Sequence, residues 1–87
     1  MSDDDLASKY FPGDLVYLEP KRKFPLVLRS GPGYTSERID VIEPGEIALI
    51  LDSSWGHGMV MWTYVLVGQK KRGWVPEAVV YNVLSKV

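Results

Sequence analysis

Glycine and proline interrupt this sequence so often that its apolar residues fall into short runs. Turn-forming groups stand at Pro12-Gly13-Asp14, Ser30-Gly31-Pro32-Gly33, Glu43-Pro44-Gly45, Gly56-His57-Gly58 and Gly68-Gln69-Lys70-Lys71-Arg72-Gly73. Glycine reaches positive φ without steric cost and proline fixes its own φ, so each group favours a turn and stops a regular element. Between them lie β-favouring stretches: Leu15-Val16-Tyr17-Leu18, Leu26-Val27-Leu28, Ile39 with Val41-Ile42, Glu46 to Asp52, Met59 to Val67, Trp74-Val75 and Val79 to Leu84. No segment carries a convincing helical apolar period. An open sheet of this size would leave exposed edges, so the pattern predicts an all-β chain closed into a small barrel of five to seven short strands.

The chain has 87 residues, which suits one domain with one modest core. Apolar residues make up 46%, aromatics 11% and charged residues 24%, enough large side chains to offset the entropy of folding. The tail from Met1 to Tyr10 opens with the acidic run Asp3-Asp4-Asp5 and reads as a flexible lead into a barrel domain spanning 11–87. An acidic start differs from the basic and then apolar start of an export signal, and no apolar run approaches the roughly 20 residues of a membrane span, so a cytoplasmic chain is expected. The formal charge of −1 disfavours a protein whose main task is neutralising phosphates. Cysteine is absent, which removes disulfides and thiolate chemistry, and stability must come from packing.

Alternation along Met59 to Val67 puts Met59, Met61, Thr63, Val65 and Val67 on one face and Val60, Trp62, Tyr64 and Leu66 on the other. Both faces are mostly apolar. In a small barrel the outer face of such a strand is the one left open to a partner.

Four pieces in order resemble the bacterial SH3-like (SH3b) domain family: Leu26-Val27-Leu28-Arg29-Ser30-Gly31-Pro32-Gly33, Ile42-Glu43-Pro44-Gly45, Trp62-Thr63-Tyr64-Val65 and Gly73-Trp74-Val75. The resemblance covers roughly Phe24 to Val83. It implies an SH3-like barrel, a framework role for Arg29, and a binding module rather than an enzyme. It also implies, for an exported chain, a cell-wall-binding role.

The residues themselves point the same way. Catalysis has only His57 to work with, between two glycines and without a recognisable orienting partner. Asp52 and His57 offer two metal ligands where a tight site needs three or four, so no metal and no cofactor are expected. Gly31-Pro32-Gly33 lacks the Lys-Ser/Thr and the helix of a phosphate-cradling loop. Aromatic side chains are more informative, because Tyr34, Trp55, Trp62, Tyr64 and Trp74 are the types that line peptide grooves and carry interface energy. They are the expected ligand-binding residues, with Trp55 between serines and glycines the best placed for exposure. The expected function is that of a non-enzymatic adaptor or small assembly subunit binding a peptide or protein. A second expectation is a nucleic-acid-associated barrel in which Lys21-Arg22-Lys23 and Lys70-Lys71-Arg72 converge on phosphates.

Overall fold

The computed structural model describes residues 10–20, 26–56 and 59–82. Among these residues the chain forms seven strands and no α-helix: β1 (Leu15–Leu18), β2 (Leu26–Arg29), β3 (Arg38–Ile42), β4 (Glu46–Trp55), β5 (Met61–Val67), β6 (Lys71–Pro76) and β7 (Val80–Asn82). A 3-10 turn at Glu77–Val79 joins the last two. The strands make one curled antiparallel sheet in the order β3-β2-β6-β5-β4-β1-β7, the expected all-β, SH3-like barrel architecture.

The turns form as glycine and proline dictate. Pro12-Gly13 and Pro44-Gly45 occupy the central positions of two tight turns, with φ of 95° at Gly13 and 85° at Gly45, a conformation that L side chains resist. Each is closed by a backbone bond, Asp14 N–H to Phe11 O at 3.0 Å and Glu46 N–H to Glu43 O at 3.3 Å. The Asp14 and Glu46 carboxylates reach back to the N–H groups of Phe11 and Glu43, both at 2.9 Å. Side-chain and backbone bonds therefore fix the same two reversals.

Inward-facing residues of every strand build the core. Val16, Leu18, Leu26, Leu28, Ile42, Ala48, Ile50, Val65, Val67 and Val75 pack with Val79 and Val80, all buried. Full burial of an aliphatic side chain of this size contributes about 1.5–3 kcal/mol. Gly73 is required where β6 crosses β2, because a Cβ there would lie 2.7 Å from the Leu28 Cβ. Tyr10, the last residue of the expected tail, packs against this core and donates its hydroxyl to the Val80 carbonyl at 2.8 Å.

The elements differ from the sequence expectation at three places, each because strand pairing outweighs local composition. β4 continues through Ser53-Ser54-Trp55, expected as a loop, since these residues pair with Thr63, Trp62 and Met61 of β5. A register shift between Ile50 and Asp52 accommodates the extra length. β5 starts at Met61, because Met59 sits at φ 59° and ends any extended run. Finally, Lys71 and Arg72, expected in a loop, pair with Val67 and Leu66, which leaves Gly68-Gln69-Lys70 as the turn.

Both edges of the sheet are partly closed by side chains. On edge strand β3, the Val41 N–H donates to Asp40 Oδ1 at 2.8 Å and the Val41 carbonyl accepts from Lys71 Nζ at 3.3 Å. Lys71 also lies 3.6 Å from Asp40. On edge strand β7 the Val80 carbonyl is taken by Tyr10. Occupied polar groups make an edge a poorer template for an added strand.

Candidate ligand-binding face

Cross-strand pairing aligns one polar and aromatic row over the outside of the sheet. Asp52 of β4 faces Tyr64 of β5, Tyr64 faces Trp74 of β6, and Trp74 faces Arg29 of β2. The Tyr64 and Trp74 rings lie 5.1 Å apart at 38°, and both are half-buried. Such a pair offers contact area with little rotamer freedom left to lose.

Above this row folds the segment from Ser30 to Glu37. Ser30 N–H bonds Glu37 O at 2.8 Å and Ser36 N–H bonds Gly33 O at 3.1 Å, which makes the segment a compact loop. Arg29 Nη1 donates to the carbonyls of Tyr34 and Ser36 at 2.8 and 2.9 Å. Its guanidinium also lies 5.7 Å from the centre of the Tyr34 ring. Arg29 thus ties the loop to the sheet, a framework role. Tyr34 is 64% exposed and meets Trp62 edge-on, with centroids 4.8 Å apart at 71°.

Trp62 is only 1% exposed although alternation places it on the outer face. The loop and Gly56 account for this. A Cβ on Gly56 would come within 2.5 Å of both the Pro32 carbonyl and Trp62 Cδ1, so the β4 end, the loop and the indole meet without spare space. Of the five aromatic candidates, the fold therefore gathers four on the outer side: Tyr34 exposed, Tyr64 and Trp74 half-buried, and Trp62 buried beneath them as support. Trp55 lies elsewhere. It pairs with Met61 and so shares the opposite face of the sheet, where it is 49% exposed at the end of β4.

The basic residues divide in the same manner. Along β6, Lys71 alternates with Arg72, and Lys71 is drawn to Asp40 and the Val41 carbonyl while Arg72 stands beside Leu66 on the outer side. Lys70 lies exposed in the turn. Lys21, Arg22 and Lys23 fall outside the described residues, as does His57. Among the described residues no three His, Cys, Asp or Glu side chains cluster as metal ligands, and no helix is long and apolar enough to cross a membrane.

A groove of about 510 Å³ opens beside β7, lined by Tyr10, Val60, Met61, Glu77, Ala78, Val80 and Tyr81. Sequence reasoning missed it, because its walls come from three separated segments. Burial raises the pKa of Tyr10, and the Glu77 carboxylate and the Tyr81 and Tyr17 hydroxyls raise it further. Tyr17 and Tyr81 stack at 5.3 Å and 17°.

Comparison with protein-family models, curated proteins and solved structures finds no match to this chain. The site must be read from its own chemistry.

Proposed function

We propose that this chain is a non-enzymatic binding module, of the kind the SH3b resemblance implies, that holds an extended polypeptide on its outer aromatic face. One observation carries the reading: Tyr34, Tyr64 and Trp74 stand together on a surface held by Trp62 and Arg29. Rigid aromatic anchors in a preorganised setting are where interface energy concentrates. Asp52 and Arg29, at the two ends of the Tyr64–Trp74 row, supply opposite charges that set a ligand's direction. With the sheet edges partly occupied, side-chain contact on this face is favoured over strand addition. An adaptor or small assembly subunit needs no more than such a face.

Selection of short peptides on the immobilised chain tests the reading. Selected peptides should lose at least about tenfold in affinity to Trp74→Ala and to Tyr34→Ala, the scale of a truncated aromatic anchor. They should bind Leu15→Ala, whose exposed side chain stands on β1, beyond β4 from the Tyr64–Trp74 pair, as they bind the parent. Peptides equally well held by all three variants would refute it, and tight binding of an oligonucleotide that weakens steeply with salt would favour the nucleic-acid reading instead.

A further inference from the structure

The basic run Lys70-Lys71-Arg72 divides into three unlike residues once β6 forms. Lys70 stands exposed in the turn. Lys71 turns to the sheet edge and is engaged by Asp40 and the Val41 carbonyl, at 3.6 and 3.3 Å. Arg72 points the other way. It lies opposite Leu66, and alternation past the buried Gly73 sets it on the same outer face as Trp74. Arg72 is exposed, and among the described residues its side chain has no ion-pair or hydrogen-bond partner.

The surroundings leave that charge uncompensated. On β2, Arg29 stands opposite Trp74 and donates to the neutral carbonyls of Tyr34 and Ser36. Arg38 of β3 lies directly opposite Arg29, and like charges so placed repel. Asp52, the carboxylate of the aromatic row, is beyond both Trp74 and Tyr64, and its Oδ1 accepts from the Ser53 N–H. The β3–β2–β6 side of the face is therefore positive. A carboxylate arriving there is attracted by three guanidinium groups and has no existing ion pair of theirs to displace.

Strand geometry supplies the spacing. Alternate residues of β6 point outward about 6.6 Å apart, the same interval that separates alternate side chains of an extended ligand. A ligand lying along β6 that seats an apolar side chain against Tyr64 and Trp74 brings its next same-side residue, two positions away, to Arg72. We infer that Arg72 receives an aspartate or glutamate side chain of the bound polypeptide, two positions from the residue held by the aromatic pair. This specificity element rests on the polypeptide-binding reading and gives the ligand its chemistry: acidic, with an apolar anchor.

The test uses the full chain with acetyl-Ala-Glu-Ala-Leu-Ala-amide, its reversed-order isomer acetyl-Ala-Leu-Ala-Glu-Ala-amide, and twins of each with glutamine or lysine in place of glutamate. An oligouridine is titrated beside them, because a guanidinium also fits a phosphate. Amide chemical shifts are followed, with thermal melts confirming that each variant stays folded. In at least one order the glutamate peptide should shift Arg72, Trp74 and Tyr64 and bind roughly two- to fivefold more tightly than its glutamine twin, the range of an exposed ion pair. Lysine should bind weakest. The preference should vanish in Arg72→Gln and persist in Lys71→Gln, which removes the same charge from the same strand. Equal binding of glutamate and glutamine twins in both orders, weakened by Trp74→Ala, would overturn the inference and leave the aromatic face standing as a polypeptide site. A preference that survives Arg72→Gln, or falls equally in Lys71→Gln, would also overturn it, since another group or the net charge would then account for it. No binding of any peptide would overturn both readings. Oligouridine binding tighter than every peptide's and lost in Arg72→Gln would assign the cation to phosphate instead.

Discussion

Arg29 holds Tyr34 twice, donating to its carbonyl at 2.8 Å while its guanidinium lies 5.7 Å from the centre of the same residue's ring. With the bond to Ser36, this one side chain fixes the loop that covers Trp62. Arg29→Met keeps most of the aliphatic stem and removes both hydrogen bonds and the cation–π contact. It should cost about 1–2 kcal/mol in denaturant unfolding. Exchange of the Gly33 and Ser36 amides should accelerate by more than the global loss explains, because the loop opens locally.

Gly56 is a second control on the same cluster. Its Cβ position is already occupied by the Pro32 carbonyl and Trp62, and neither backbone nor a buried indole yields easily. Gly56→Ala should destabilise the fold by at least about 2 kcal/mol, read from the shift of the unfolding midpoint. By contrast, alanine at Gly31 would meet only the Ser36 side chain, with Oγ 3.0 Å away, and should be milder.

Thr63 presents the opposite case. It is fully buried, and its hydroxyl has no hydrogen-bond partner. An orphaned buried hydroxyl bears the cost of lost hydration with no compensating bond. Thr63→Val keeps the shape and should stabilise the protein by about 1 kcal/mol in chemical denaturation.

Tyr10 links stability to alkaline pH. Its pKa is raised above the ordinary 10.0 by burial first and by Glu77 second, so the folded chain holds the phenolic proton more tightly than the unfolded chain. That contribution is complete below pH 10 and is lost as pH rises through the folded value. Tyr10→Phe removes the bond to Val80 and should cost about 0.5–1.5 kcal/mol at neutral pH. Unfolding measured from pH 9 to 11 should then show a shallower decline in the variant than in the parent.

Much of the fold was legible because turn chemistry is local. Pro12-Gly13 and Pro44-Gly45 state their reversals in two residues, and the runs at Leu15–Leu18 and Leu26–Arg29 follow from composition. The extension of β4 through Trp55 was not legible, because Ser53 and Ser54 are held by partners in β5 rather than by their own preference. Alternation put Trp62 on one face with Tyr64, yet could not show that this face is the outer one or that the 30–37 loop would fold down and bury Trp62. Tyr64 and Trp74 were legible as aromatics, but their contact depends on the register between β5 and β6. The groove around Glu77 was invisible for the same reason: Tyr10 and Val80 are 70 positions apart in the chain and meet only through the fold.

Binding on the face carrying Tyr34, Tyr64 and Trp74 leaves a signature at those three residues. The most direct measurement is a chemical-shift map of the chain saturated with a selected peptide, using the indole N–H of Trp74 and the amides of Tyr34 and Tyr64 as reporters. The largest changes are expected at these residues and at Arg29, with Leu15 and Ile47 unmoved. Largest changes at Leu15, Tyr17 and Ile47, with Trp74 silent, would contradict it.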